Sequence, residues 1–189
     1  MDINSKTLTI FKSFIDDLIN VFPEYKEQLI INYSDIISLE NLDINNNVKI
    51  KDFLHEIDVI SSEITEKDES IFNNDLFLLK DISFKKIWES NISEKTKDNI
   101  WKYLQSFCLI NININTLNKL NEDDSKDTKK KISKKNKKDI ENFNKINEDY
   151  KNSNVETSDI NDFNNILENT NIGKIAQEIS EELNISDDN

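Results

Sequence analysis

The sequence predicts an all-α protein, a small helical bundle of about five to six helices that ends near residue 120. A charged disordered linker over residues 121–157 and a short amphipathic C-terminal helical segment over residues 158–189 are predicted to follow it. Two observations support this layout. Bulky apolar residues recur every three or four positions up to about Leu120, and polar residues dominate from Asn121.

The first two predicted helices form a hairpin around Pro23. Helical spacing of apolar residues predicts a helix from Ser5 to Val21. Proline suits the first position of a helix, so a second helix is predicted from Pro23 to Ile37. The residues expected to face the core are Leu8, Phe11, Phe14, Ile15, Leu18, Phe22, Tyr25, Leu29, Tyr33 and Ile36.

The stretch SLENLDINNN is predicted to be a loop, because Asn and Asp side chains compete for backbone hydrogen bonds. A third helix is predicted from Val48 to about Thr65, with His55 on its polar face. Residues 69–90 contain a short apolar run that fits either a strand or a buried helix. Short helical turns are preferred, capped at Asp81 or Ser83.

The clearest predicted helix begins at Ser93, a natural N-cap. Its inward residues are Ile100, Trp101, Leu104, Phe107 and Cys108. The alternation of isoleucine and asparagine over 110–114 is also typical of a strand, but the helical stripe continues to Leu117, so an extended helix is preferred. The aromatic side chains of Phe84, Trp88, Trp101 and Tyr103 are assigned to the core rather than to an interface patch.

Composition excludes several classes of function. A single glycine, Gly173, rules out a glycine-rich phosphate loop, and the absence of arginine rules out bidentate guanidinium recognition. One cysteine, Cys108, excludes an internal disulfide. The start MDINSK lacks a leader pattern and no apolar run is long enough to cross a bilayer, so an intracellular, reducing compartment without membrane contact is expected.

Groups with catalytic chemistry are scarce. The only histidine, His55, and the only thiol, Cys108, are predicted to lie on a polar and a buried face respectively. Acidic pairs such as Asp16 with Asp17 fit solvated surface better than a cation site. No enzyme, cofactor or metal is therefore predicted, and an enzyme with a carboxylate site remains the third alternative.

A lysine run between Lys126 and Lys138 holds eight lysines and one aspartate in a chain of net charge −13. A solvated linker is the preferred interpretation, because no aromatic residue lies in the run to stack on bases. The alternative is a nucleic-acid-associated protein whose lysines contact phosphates. The residues that would make those contacts are Lys129, Lys130, Lys131, Lys134, Lys135, Lys137 and Lys138.

The C-terminal stretch NIGKIAQEISEELN predicts an amphipathic helix with an acidic flank. A helix this short is marginal in water and requires a partner surface, either on its own chain or on another protein. The residues predicted to bind that surface are Ile172, Ile175, Ala176, Ile179 and Leu183.

Two segments resemble uncharacterised proteins of giant nucleocytoplasmic large DNA viruses of the mimivirus kind. They are FKKIWESNISEKTKDNIWKYLQSF, from Phe84 to Phe107, and NIGKIAQEISEEL, from Asn171 to Leu183. The resemblance implies a viral origin, with the host cytoplasm or the virion as location, but no activity. The sequence as a whole therefore predicts a non-catalytic scaffold or adaptor that binds protein partners through the helical domain and the tail helix, with nucleic acid as the weaker alternative.

Overall fold

A computed structural model describes residues 3–38, 43, 44 and 46–122 and six positions between 141 and 148. For residues 116–122 only the backbone is described. The chain divides into two compact units, Met1–Asn111 and Ile112–Asn189, and each is considered by itself. The described residues are mainly helical and contain no strand, apart from one isolated bridge between Leu79 and Ile82. The predicted all-α fold class is thus confirmed.

Six α-helices and two short 3-10 helices occur between residues 3 and 122. In chain order they are α1 (Ile3–Val21), a 3-10 helix (Pro23–Tyr25), α2 (Lys26–Ser38), α3 (Val48–Val59), α4 (Ser61–Glu66), a second 3-10 helix (Glu69–Phe72), α5 (Phe84–Glu89) and α6 (Glu94–Glu122).

The predicted hairpin around Pro23 is confirmed, with a longer connection than expected. Pro23 begins a 3-10 turn, and the α-helix starts three residues later at Lys26. Proline fits this position because it has no amide hydrogen to leave unpaired. Leu29, Tyr33 and Ile36 are buried as predicted, whereas Tyr25, in the turn, is half-buried.

The third predicted helix is two helices. Ile60, at φ −105° and ψ 21°, leaves the helical region and separates α3 from α4. After α4, Lys67 takes the left-handed conformation with φ 50°. The amides of Lys67 and Asp68 donate to the carbonyls of Ile64 and Glu63 at 3.1 and 2.9 Å, which is the Schellman pattern of helix ends.

Of the short helical turns preferred over residues 69–90, two are present, Glu69–Phe72 and Phe84–Glu89, whereas the apolar run 76–79 between them is neither helix nor strand apart from the bridge at Leu79. A tight turn from Leu79 to Ile82 places Asp81 at φ 63°. The cap of α5 is Ser83, since its hydroxyl accepts from the amide of Lys86 at 3.3 Å. Asp81, the other predicted cap, lies in the turn instead.

The long helix α6 begins as predicted. Ser93 Oγ accepts from the amide of Thr96 at 3.1 Å, and the helix continues through 110–116 to Glu122, which settles the helix-or-strand alternative there. Ten consecutive residues, Leu104 to Asn113, are buried. A helix covered on every side is a central element of a core.

The core of the first unit is aromatic. Phe53 from α3 lies with its ring centroid 4.7 Å from that of Phe107 in α6 and 5.1 Å from that of Phe11 in α1, both in edge-to-face geometry. Phe14 completes the group at 5.7 Å from Phe107. Such pairs add about 0.5–1.5 kcal/mol each beyond their buried area, so these rings fix how α1, α3 and α6 pack.

In the second unit, the positions described between 141 and 148 are helical, and Ile146 is fully buried. The remainder of the predicted linker after residue 122, and all of the predicted tail, lie outside the described residues. None of the helices that were described has the length and apolar character required to span a membrane.

Candidate functional site

A half-open depression lies where α2, the first turn of α3 and the Leu79–Ile82 turn meet. Its walls are formed by Ile31, Asn32, Tyr33, Lys49 and Lys80, and its volume is about 330 Å³. We call it the α2–α3 depression. A cavity of this size matches the lower end of small-ligand sites and suits one side chain of a partner better than a large cofactor.

The first turn of α3 contributes Lys49. Asn47 caps this helix by accepting from the amide of Ile50 at 3.0 Å, which fixes the turn that carries Lys49. Lys49 Nζ donates to the carbonyl of Asn32 and to Asp35 Oδ1, both at 2.7 Å. It also lies 6.0 Å from the ring centroid of Tyr33. Lys49 therefore joins α3 to α2 and is neutralised by Asp35.

The Leu79–Ile82 turn is held against α2 by the other two polar residues of the wall. Asn32 Nδ2 donates to the carbonyl of Lys80 at 3.2 Å and lies 3.4 Å from Asp81 Oδ2. The amide of Lys80 donates to Tyr33 Oη at 2.9 Å. Partners 47 and 48 residues apart in sequence are thus connected by direct hydrogen bonds, which positions the wall of the depression.

The hydroxyl of Tyr33 remains a donor. Burial raises its pKa above the ordinary value, and the negative fields of Asp81, Asp35 and Asp52 act in the same direction, whereas the hydrogen bond from Lys80 opposes them. The group therefore keeps its proton at neutral pH. Tyr33 Oη accepts from Lys80, and no described residue accepts the hydroxyl hydrogen.

The remaining two residues of the depression face solvent. Lys80 is exposed, and its ammonium has no ion-pair partner within the described ranges. Ile31 is 70% exposed, the highest value among the large apolar side chains of the described part. The depression therefore combines an open aliphatic edge with an unpaired cation and a buried hydroxyl donor.

A second cluster consists of three aromatic side chains, Phe72, Trp88 and Trp101, whose rings pack against one another. The Phe72 ring stacks on Trp88 with centroids 4.1 Å apart, and Trp101 meets Trp88 edge-on at 5.5 Å. Trp88 Nε1 donates to Glu69 Oε2 at 3.1 Å, and Lys97 Nζ lies 5.3 Å from the Trp88 ring. Trp101 is buried, in line with the core assignment, while Trp88 is half-buried at the edge. This cluster connects the second 3-10 helix with α5 and α6.

The residues predicted to have no catalytic role, His55, Cys108 and Asp17, differ in how deeply they are buried and in their hydrogen-bond partners. His55 is exposed on α3. Cys108 is buried, and burial together with the nearby Asp58 raises the pKa of its thiol well above the ordinary range. Asp17 accepts a hydrogen bond from Tyr103 at 2.6 Å, which ties α1 to α6. Within the described residues no three His, Cys, Asp or Glu side chains are grouped to hold a metal ion.

Neither of the two predicted binding segments can be placed. The lysines from Lys129 to Lys138 and the tail residues from Ile172 to Leu183 lie outside the described residues. Conversely, the sequence analysis did not identify the α2–α3 depression. Its one sequence signal was Ile31, an isoleucine off the predicted apolar stripe of its helix.

Comparisons of the chain with protein-family models, with curated proteins and with solved structures find no match.

Proposed function

We propose that the protein is a non-catalytic scaffold or adaptor that binds partner proteins through the α2–α3 depression of its helical domain and through the tail helix around Ile175 and Ile179. The observation that carries the proposal is Ile31, which stands 70% exposed at the edge of a depression with a preassembled polar wall. The viral assembly or replication setting implied by the sequence resemblance is part of the same proposal.

The preassembled wall favours binding by a defined surface. Asn32, Tyr33 and Lys49 already hold three chain segments together by hydrogen bonds of 2.7–3.2 Å. A partner that enters the depression does not have to order these side chains, so less conformational entropy opposes binding. An exposed aliphatic residue beside polar groups is the usual arrangement of an interface centre and its rim.

The proposal is tested by affinity capture of the full-length chain from native cells, followed by reconstitution with the purified partner and titration calorimetry. Ile31→Lys introduces a charge at the aliphatic edge of the depression and is expected to weaken binding at least tenfold, about 1.4 kcal/mol. Val59→Lys is the matched control, because Val59 is also an exposed helical aliphatic residue, at 64%, but does not line the depression.

Equal loss of binding in both variants, or in neither, would contradict the role of the depression. Both variants must first show the wild-type circular dichroism spectrum, so that a folding defect is not mistaken for a binding defect.

A further inference from the structure

The outer face of α3 carries four exposed side chains in a repeating pattern. They are Val48, Asp52, His55 and Val59, which follow one another at spacings of four, three and four residues. Residues at this spacing form one line along a helix, as the a and d positions of a coiled coil do. The buried residues of α3 lie on the opposite side of the helix and are Ile50, Phe53, Leu54 and Ile57. We call the four exposed residues the α3 seam.

The two ends of the seam are apolar and open to solvent. Val48 is 67% and Val59 is 64% exposed, and among the large apolar side chains of the described part only Ile31 exceeds them. The two middle residues, Asp52 and His55, are also exposed and form no ion pair within the described ranges. The seam therefore offers two aliphatic contacts with a carboxylate and an imidazole between them.

The order of these residues matches a second copy of the same helix in the antiparallel orientation. Reversal of one helix brings Val48 opposite Val59 of the second copy, and Asp52 opposite its His55. A two-fold axis repeats both contacts, since the two chains present the same surface. In a parallel pair each residue would face its own equivalent, so that two Asp52 carboxylates would meet. The seam is therefore self-complementary in one orientation only.

The charges beside the seam have the same symmetry. Lys51 precedes Asp58 by seven residues on one flank, and Lys49 precedes Glu56 by seven on the other, so reversal places each lysine near an acid of the second copy. Lys49 is already paired with Asp35 at 2.7 Å, which makes its flank the weaker one. The net charge of −13 opposes association, but charges more than about 8 Å apart are largely screened at physiological salt.

We infer that the protein forms an antiparallel, two-fold symmetric homodimer through the α3 seam, with Val48 packed on Val59 and Asp52 paired with His55 across the interface. The helix has 12 residues, so the contact is about 18 Å long and belongs to the small, weak class of interfaces. None of the seam residues lines the α2–α3 depression, so the inference does not depend on the proposed function.

The test is sedimentation equilibrium of the full-length chain in about 0.15 M salt, from about 10 μM to about 1 mM, a range that covers weak interfaces. We expect the average mass to rise from the 22.2 kDa of one chain toward twice that value. Val59→Lys places a charge against Val48 at both ends of the interface and is expected to weaken dimerisation about tenfold or more. Ile31→Lys is the matched control, because it makes the same change of charge on an exposed aliphatic residue outside the seam.

A charge exchange tests the pairing itself. Asp52→Lys and His55→Glu are each expected to weaken dimerisation, because like charges would then face across the interface. The double variant restores an opposite pair and is expected to regain affinity. Asp52→Lys also lowers the negative charge of the chain, so an association governed by net charge would become stronger instead. The circular dichroism spectrum of each variant must match the wild type.

Three outcomes overturn the inference. They are a chain that stays monomeric up to about 1 mM, a dimer that Val59→Lys leaves intact, and a double variant no stronger than the weaker single variant. The proposed function fails separately. Ile31→Lys is expected to lose the partner protein and keep the dimer, whereas Val59→Lys is expected to lose the dimer and keep the partner.

Discussion

Gln105 in α6 is a buried amide without a complete set of partners. It is 1% exposed, and its Nε2 has no hydrogen-bond partner among the described residues. Asn111, two turns later on the same helix, donates to the carbonyl of Leu54 at 2.6 Å. Burial of an unpaired polar group opposes folding, whereas a satisfied one contributes to it.

We therefore expect opposite effects from two apolar substitutions in α6. Gln105→Met keeps the shape of the side chain and removes the unpaired donor, so the free energy of unfolding should stay constant or rise by up to about 1 kcal/mol. Asn111→Leu removes the hydrogen bond to the carbonyl of Leu54 and should lower the free energy of unfolding by about 1 kcal/mol or more. Urea denaturation checks both, and a larger loss in Gln105→Met than in Asn111→Leu would show that Gln105 is paired.

Cys108 gives the folded chain a distinct response to alkaline pH. Burial raises the pKa of its thiol, so the folded state keeps the proton at pH values where the unfolded chain, with a pKa of about 8.5, loses it. The free energy of unfolding should therefore fall as pH rises above about 8.5, by up to about 1.4 kcal/mol per pH unit from this group.

The control for this prediction is Cys108→Ala, which should lack that component of the slope between about pH 8.5 and 10, whereas the lysines and tyrosines that also titrate there are the same in both proteins. Identical slopes in the two proteins would contradict it. In the folded chain the thiol should also react with iodoacetamide far more slowly than in denaturant, because the thiolate is the reactive form.

At the scale of elements, the end of α4 uses lysine where glycine is favoured. Lys67 adopts φ 50° in a Schellman pattern, and a side chain in the left-handed region costs roughly 1 kcal/mol. Lys67→Gly should therefore raise the free energy of unfolding by up to about 1 kcal/mol. Lys51→Gly, the same change on the exposed side of α3, should lower the free energy of unfolding by a similar amount. Thermal unfolding of the pair checks the sign, and destabilisation by both would show that Lys67 has another role.

The helices could be predicted because each one carries its own periodic pattern and cap. Ser93 at α6 and the stripe of α1 are local signals, and both were read correctly. The break at Ile60 was missed because the apolar spacing runs through it without interruption, and no glycine or proline marks the change. A sequence with one glycine must use other residues at left-handed positions, so Lys67 gave no turn signal, and Asp81 was read as a helix cap.

At the scale of the whole molecule, the candidate site could not be predicted. The wall of the α2–α3 depression depends on contacts of Asn32 and Tyr33 with Lys80, 48 and 47 residues away. No short motif encodes such a contact, because it follows from how the aromatic core sets α2 beside the Leu79–Ile82 turn. The prediction against a glycine-rich phosphate loop, in contrast, depends on composition alone, because the chain holds a single glycine.

The predicted tail helix, residues 171–184, is proposed to contribute to partner binding in the intact chain. When two contacts with one partner are linked in the same chain, formation of the first raises the effective concentration for the second. Deletion of residues 171–184 should therefore weaken binding of the same partner whose binding Ile31→Lys weakens. Calorimetry with the purified partner measures this. Undiminished affinity after the deletion would show that the tail is not a binding element.

The lysine run gives the competing nucleic-acid hypothesis its own test. Filter binding of single-stranded and duplex DNA at 50 and 200 mM salt should show a steep loss of affinity with salt if the lysines contact phosphates, on the order of tenfold or more for two or more contacts. Replacement of the seven lysines from Lys129 to Lys138 by serine should abolish that binding. No binding at the lower salt would remove the hypothesis.

Both tryptophans of the chain belong to one cluster, with the indole of Trp88 stacked on Phe72 and edge-on to Trp101. Tryptophan fluorescence, excited selectively over the four tyrosines, is therefore a local probe, sensitive to the junction of the second 3-10 helix with α5 and α6 and blind to the phenylalanines between α1 and α3. Circular dichroism at 222 nm reports helices throughout the chain. Unfolding curves from the two signals would coincide only if this junction melts together with the rest, so the positions of two residues provide a built-in measure of cooperativity.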